Sequence, residues 1–216
     1  MEHIPLFPLR TVLFPHTALP LHIFEERYKL RIGRCIEQRS PFGVVLIRSG
    51  DEVGEAAEPH DVGTTARIAQ VQRLPDGEMN LVAYGERRFR ILAVDTTEPY
   101  LQGDVEFVES EDVGAPGVSD AATRVGGLYR EQQRLALAIG GQWSREIDLP
   151  SDHDALADYV AGNSELPAEE KQGLLEMLSL PARLERLGEL LDRRVRTLTD
   201  MWEEKRRKKF AGERLN

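Results

Sequence analysis

The hydrophobic residues of this 216-residue chain change their spacing near residue 118. Before that point they form short runs or alternate with polar residues, which is typical of β-strands. After it they recur at intervals of three and four, which is typical of amphipathic helices. The sequence therefore predicts an α+β protein, with a β domain over residues 1–118 and an α-helical bundle with a long last helix over residues 119–216.

The first half predicts about six strands and a single helix, and therefore a compact, partly closed β domain. Residues 64–69 alternate as expected for a strand with one buried face. Pro75-Asp76-Gly77 predicts a hairpin turn, because proline presets one dihedral and glycine accepts a positive φ. Residues 25–38 carry apolar side chains at helical spacing, Cys35 among them, and are predicted to form the helix.

The second half predicts about four helices after a Gly- and Pro-containing linker at residues 109–120. The first helix is expected to end at Gly140-Gly141, and Ser151 with Asp154 resembles a capping box that opens the second. Pro167 and Pro181 are placed where helices start. The last helix has a stripe of apolar residues, namely Leu184, Leu187, Leu191, Val195, Leu198 and Trp202. That stripe suits packing on the chain's own bundle, and it also suits a homodimer formed through this helix.

The amino-acid composition limits the cellular compartments and the binding partners that suit this chain. Lys and Arg number 28 against 37 Asp and Glu, and the resulting net charge of −9 disfavours nucleic acid, whose phosphates need a basic face. One cysteine rules out an intramolecular disulfide and a multi-cysteine zinc site, which favours a reducing, cytoplasmic setting. The apolar runs are too short for a membrane helix and the N-terminus lacks a basic signal region, so we expect no membrane association and no secretion.

Catalytic and cofactor motifs are absent from the sequence. There is no Gly-Lys pair for a phosphate-binding loop and no Gly-x-Ser-x-Gly elbow, and the five histidines lack zinc-ligand spacing. Cys35 is interpreted as a buried small apolar residue, and the lysines as solvated side chains. We therefore predict no enzyme activity, no catalytic residue, no metal and no cofactor. An enzyme acting on a small molecule stays open as an alternative, because a sequence does not reveal a polar cleft.

An apolar segment between residues 14 and 28 is the leading candidate for binding. Prolines bracket a short loop, and a strand and a helix entrance with large apolar side chains follow it. Such a segment suits a peptide-binding surface, although most of the same side chains also suit a core. The candidate peptide-binding residues are Phe14, Pro15, Leu21, Phe24 and Tyr28.

Two basic clusters form the alternative candidate. Arg87, Arg88 and Arg90 are expected on the polar face of a strand, where they would meet RNA phosphate or another anion. The run at residues 205–209 is the second cluster. A solvated strand face and a charged helix end are the preferred explanations of the two clusters.

Several motifs resemble one known family in order along nearly the whole chain. They are Ile4-Pro5-Leu6-Phe7-Pro8-Leu9-Arg10, Val12-Leu13-Phe14-Pro15, Leu19-Pro20-Leu21-His22-Ile23-Phe24-Glu25, Arg27-Tyr28, Gly85-Glu86-Arg87-Arg88-Phe89-Arg90-Ile91, Pro99-Tyr100-Leu101 and Arg183-Leu184-Glu185-Arg186-Leu187. Together they are similar to the N-terminal, substrate-binding domain of the Lon protease, which also occurs in stand-alone proteins.

The resemblance implies a PUA-like pseudo-barrel followed by a helical bundle. It also implies a non-enzymatic module that recognises unfolded or degron-bearing polypeptides, as an adaptor or regulator of proteolysis that works with a protease in trans. The ATPase and Ser-Lys protease modules of full-length Lon have no room in this sequence. Because PUA-like folds in other families bind RNA, RNA binding is the alternative function.

Overall fold

A computed structural model describes residues 1–50, 57–142 and 147–213 of the chain. In chain order its elements are β1 (Glu2–Leu9), β2 (Ala18–Ile23), α1 (Glu26–Gln38), β3 (Phe42–Ser49), β4 (Glu58–Arg73), β5 (Met79–Asp95), β6 (Gln102–Phe107), α2 (Val118–Ile139), α3 (His153–Asn163), α4 (Ala168–Glu176) and α5 (Leu180–Glu213). The chain is therefore an α+β protein with its strands before its larger helical part, as predicted.

The chain divides into two compact units, and neither is one continuous segment. The first comprises Met1–Glu111 with Ala161–Leu178, and the second comprises Asp112–Val160 with Ser179–Asn216. The second unit begins close to the predicted boundary at residue 118, but α4 is grouped with the strands. The division into a β domain over residues 1–118 and a helical bundle over residues 119–216 stays a prediction.

The first unit is built on a six-stranded sheet in the order β2-β5-β4-β3-β1-β6. β5 also pairs with β6, so five of the six strands close on themselves and β2 is left at one end. This closure is possible because β5 is 17 residues long, and its two halves pair with different strands. The hairpin between β4 and β5 turns at Gly77, which has φ of 82°, as its sequence predicts.

Among the described residues, two apolar clusters pack within the first unit. The larger includes Phe7, Ile23, Ile32 and Phe42, together with other buried residues of β1 to β5 and α1. The smaller lies around Phe89, which is fully buried. β1 is buried on both faces: Phe7 and Leu9 belong to the larger cluster, and Ile4 and Leu6, on the opposite face, belong to the smaller.

α4 is attached to β4 by polar contacts within the first unit. Gln172 Nε2 donates to the Val62 carbonyl at 3.0 Å, and His60 lies 3.3 Å from Glu176 and 3.7 Å from Glu169. Gln172 is buried, so its hydrogen bond satisfies a backbone oxygen that water does not reach. The contacts explain why a helix from the second half of the sequence belongs to the strand unit.

The second unit is formed by α2, most of α3 and α5. Leu184, Leu187, Leu191 and Leu198 are buried, so four members of the predicted stripe of α5 are already covered within the unit. α3 begins at His153, and its cap is Asp152, whose Oδ1 accepts from the Ala155 amide at 2.8 Å. The predicted Ser151 cap is therefore wrong by one residue, since aspartate serves the same role. None of the described helices combines the length and the apolarity that crossing a bilayer demands.

Candidate functional site

Three of the five predicted peptide-binding residues belong to the core. Phe14 has no exposed surface and Pro15 is buried; Tyr28 is 7% exposed, with its ring centroid 4.2 Å from that of Phe7. The Phe14 carbonyl accepts from Thr17 Oγ1 at 2.7 Å, which fixes the loop before β2. Phe14 and Pro15 therefore support the surface from within, whereas Tyr28, although mostly buried, still lines one of the depressions described below.

Phe24 and Leu21 are the two predicted residues that reach the surface. Phe24, directly after β2, is 47% exposed, and Leu21 is partly buried against the larger core cluster. The Phe24 ring stacks on the His22 ring, with centroids 5.9 Å apart. Exposure of a large aromatic ring beside a packed core is the arrangement that a docking site needs.

His22 holds its position through two polar neighbours. Its Nδ1 is 2.8 Å from Asn80 Oδ1, and its Nε2 is 2.8 Å from Glu78 Oε2. The sequence suggests a satisfied core or edge histidine, and the structure places it half-exposed on the end strand with satisfied ring nitrogens. Pro20 and His22 are two residues apart and therefore lie on the same, exposed face of β2. This alternation is the sequence signal that indicates the exposed position of His22.

Two adjoining depressions flank β2, and we call them together the β2 groove. One has a volume of about 450 Å³ and the other about 150 Å³, and both are lined by Pro20, Leu21 and His22. Residues 70–72 and 80–82 complete the larger, while Phe24, Tyr28 and neighbouring core residues complete the smaller. Their combined lining is apolar with a few polar groups, which is usual for binding sites.

β2 also presents a free strand edge. β5 is its ladder partner, and among the strands that the structure describes no second one pairs with it. Pro20 fits such a position, because a residue without an N–H is tolerated on an edge strand. An edge offers backbone groups that an extended polypeptide can pair with, so the groove adjoins a second means of holding a peptide.

The structure separates the three arginines of the alternative site. Arg88 is 4% exposed and its Nη1 donates to Ser110 Oγ at 3.0 Å, so it does not share a surface with the other two. Arg90 Nη1 is 3.5 Å from Glu106 Oε1. Arg87 lies over the Phe107 ring at 3.9 Å from its centroid and 3.9 Å from Glu109 Oε1. The predicted basic strip is therefore interrupted and partly neutralised by acidic neighbours.

The other reactive side chains are shielded. Cys35 is buried, and burial raises the pKa of its thiol. Lys171, predicted to be solvated, is half-buried: burial lowers its pKa, and its Nζ donates to the Gly162 carbonyl at 2.8 Å. In the parts of the chain that the structure describes, no group of three or more His, Cys, Asp or Glu side chains is arranged to hold a metal ion.

The fold and the groove define a mixed α+β binding domain, and comparisons with known proteins identify its family. The model of the ATP-dependent protease La (LON) substrate-binding domain matches residues 3–193. The chain belongs to this family.

The relatives in this family are longer proteins. The chain is 31% identical over 194 residues to a Lon protease of Anaeromyxobacter dehalogenans, which covers 88% of this chain and 23% of the relative. It is also 31% identical over 197 residues to Lon protease 2 of Myxococcus xanthus, covering 88% and 24%. The chain thus spans about a quarter of the length of the curated relatives it matches.

Solved structures share the fold. A Lon N-terminal domain protein from Xanthomonas campestris is 28% identical with a TM-score of 0.61, covering 87% of this chain and 97% of that one. The N-terminal domain of a Mycobacterium avium complex Lon protease has a TM-score of 0.67 over 88% and 98% of the two chains. Its identity is 22%, so it supports the fold alone.

Proposed function

We propose that this chain binds unfolded or degron-bearing polypeptides in the β2 groove. The observation that carries the proposal is Phe24, an aromatic ring 47% exposed at the mouth of a groove, in a chain of the substrate-binding family. Side chains of the polypeptide would cover Phe24 and Leu21, and its backbone would pair with the free edge of β2. Such contacts tolerate many sequences, as a module that meets unfolded chains requires.

The expected affinity is modest. Burying a whole Phe side chain contributes about 1.5–3 kcal/mol, and Phe24 already has about half of its surface covered, so roughly 1 kcal/mol remains for binding. Ordering an extended chain opposes that gain. Binding is therefore expected to be weak for one segment and stronger for polypeptides that present several.

The proposed biological role is that of an adaptor or regulator of proteolysis, which works with a protease in trans. The family description, which names the substrate-binding domain of an ATP-dependent protease, supports that role. A free, buried thiol is in keeping with a reducing, cytoplasmic setting. In this role the chain selects polypeptides and performs no chemistry on them.

The test is a titration of fluorescently labelled unfolded peptides against wild type and Phe24→Ala. Removing the ring is expected to weaken binding about fivefold, which corresponds to about 1 kcal/mol. Leu92→Ala is the matched control, because Leu92 is also 47% exposed and lies in β5 outside the lining of the groove. Its affinity is expected to equal that of wild type.

Two results would contradict the proposal: no binding of any unfolded peptide, or equal losses in both variants. Repeating the titration with RNA in place of peptide tests the alternative function. RNA affinity would fall steeply as salt rises, whereas contacts between apolar groups depend little on salt.

A further inference from the structure

We propose that a second pocket of the first unit binds the terminal carboxylate of a polypeptide whose last residue is aliphatic. The pocket has a volume of about 300 Å³ and lies between the C-terminal end of α1 and residues 67–71 of β4. The inference rests on the proposed function and extends it, because it names the part of the polypeptide that is recognised. This pocket adjoins the larger depression of the β2 groove at Val71, which lines both.

Charge is the first observation that identifies the ligand. Arg39 and Arg67 both line the pocket and both are solvent-exposed. Arg67 Nε donates to Glu86 Oε1 at 2.7 Å, which leaves its two Nη groups available to a second acceptor. Within the described residues, Arg39 has no carboxylate partner. Two guanidinium groups against one carboxylate give the pocket a net positive charge in a chain of net charge −9.

The apolar part of the lining is the second observation. Ile36 and Ile68 pack against the larger core cluster, and Val71 is 37% exposed. Ser40 Oγ is shielded from solvent, and its hydroxyl interacts with the thiol side chain of Cys35. The pocket therefore combines an aliphatic wall, a buried hydroxyl and two arginines, and its volume is at the small end of ligand sites.

A chain terminus matches this combination better than an acidic side chain does. At a C-terminal Leu or Val the charge lies on the main chain, so the side chain is free to cover the aliphatic wall. In a Glu residue the carboxylate is at the end of the side chain, so the side chain extends to the arginines and does not cover the aliphatic wall. The negative pole of α1 opposes an anion. However, the Arg39 and Ser40 amides donate to the Ile36 and Cys35 carbonyls and so reduce the negative charge exposed at this helix end. The repulsion of an anion by the helix end is therefore smaller than its attraction to two guanidinium groups.

The direct test uses N-acetyl-leucine, which carries an aliphatic side chain and a free carboxylate, with N-acetyl-leucinamide as its uncharged control. Backbone amide shifts of residues 35–40 and 67–71 in the full chain report binding. N-acetyl-leucine is expected to saturate in the millimolar range, and the amide is expected to bind at least tenfold more weakly. Added salt is expected to weaken the binding of N-acetyl-leucine, since salt screens the attraction between exposed charges.

Variants assign the effect to the pocket. Arg39→Gln is expected to weaken the binding of N-acetyl-leucine at least fivefold. The substitution removes one of the two positive charges of the pocket and keeps a side chain that can form hydrogen bonds. Arg73→Gln is the matched control, since Arg73 is an exposed arginine of β4, the strand that carries Arg67, and does not line the pocket. It is expected to bind like wild type. Circular dichroism spectra that superimpose show that both variants are folded.

Each remaining outcome bears on the proposal. Equal binding of the acid and the amide, or wild-type binding by Arg39→Gln, overturns it. Peptides with a free C-terminal Leu are expected to bind more tightly than their amides, and an amidated peptide with an internal Glu that binds equally well overturns the terminal assignment. Phe24→Ala should leave N-acetyl-leucine unaffected. If unfolded peptides fail to bind while N-acetyl-leucine still does, the groove proposal fails and the pocket stands as a carboxylate site.

Discussion

Gly63 lies directly opposite Phe89 in the pairing of β4 with β5, and the fully buried Phe89 ring occupies the space above it. A Cβ at position 63 would lie 2.7 Å from Phe89 Cζ and 2.6 Å from Val45 Cγ1, and closer still to the Val44 carbonyl oxygen. Because one of these neighbours is backbone, no rotamer change relieves the clash. Gly63→Ala is therefore expected to reduce the free energy of unfolding by about 3 kcal/mol, as overpacking does.

A second glycine in the same unit supplies the control. An added Cβ at Gly33, within α1, would meet nothing within 4 Å. Gly33→Ala is expected to leave stability unchanged or to raise it by up to about 1 kcal/mol, because alanine favours a helix. Urea denaturation followed by circular dichroism measures both variants. Equal stability of the two would show that the core around Phe89 is looser than the structure has it.

Single residues also show where sequence reasoning reaches its limit. Burial and ligand contact favour the same apolar residue types, so the sequence alone does not separate the buried Phe14 from the exposed Phe24. Arg88 is a different case. Between Arg88 and Gly85 the β4–β5 register shifts, so Glu86 and Arg87 together oppose Thr65. After this bulge Arg88 and Arg90 lie on one face, opposite Thr64 and Val62, yet Arg88 is buried and Arg90 is exposed. Alternation assigns a side chain to a face and does not say what covers that face.

At the scale of elements, periodicity located helices and strands well but did not identify their partners. Pro167 is predicted to open a helix of the bundle, but that helix, α4, bonds to β4 through Gln172 and is grouped with the strand unit. An apolar stripe states that a face is covered and carries no information on what covers it. The β1–β6 pairing joins residues 2–5 to residues 102–105, and periodicity does not reveal such a distant partner. Pro20 is compatible with an end strand, but β1 also contains prolines and lies inside the sheet, so proline alone does not identify β2 as the end strand.

α3 and α5 are joined by an ion pair of unusual depth. Arg183, near the start of α5, is completely buried; it pairs with Asp154 and lies 3.8 Å from Asp158, which is 3% exposed on its side chain. Removing one partner of a buried ion pair typically costs 3–5 kcal/mol, and because Asp154 stays beside Arg183 the lower end of that range applies. Asp158→Ala is therefore expected to reduce the free energy of unfolding by about 3 kcal/mol in urea denaturation.

An exposed pair on the same helix is the control for that measurement. Arg196 Nη2 lies 2.6 Å from Asp192 Oδ2, and the Arg196 side chain is 76% exposed. Asp192→Ala is expected to change stability by no more than about 0.5 kcal/mol, since water screens such pairs. If Asp158→Ala were as mild, water would have to reach Arg183 in solution.

At the scale of the whole molecule, the chain passes between its two units three times, at residues 111, 160 and 178. A fragment of residues 1–118 contains every strand but lacks α4. It would leave the Val62 carbonyl without Gln172 and remove the neighbours of His60. Losing a partner for a buried backbone oxygen costs about 1–3 kcal/mol, and the exposed apolar face of β4 adds to that cost. We therefore expect the fragment to be much less stable than the full chain.

Cys35 reports this difference, because it is the single cysteine and lies in the core of the first unit. Burial raises the pKa of its thiol above the ordinary value of 9.0, so at pH 8 less of it is thiolate in the folded chain than in an unfolded one. Since the thiolate is the reactive form, reaction with an aromatic disulfide reagent is expected to be slow in the full chain and fast in the fragment. Raising the pH from 8 to 9 should increase the reaction rate of Cys35 by a larger factor in the folded chain than in the unfolded one. A fragment that protects Cys35 as well as the full chain does would support an independent domain ending at residue 118.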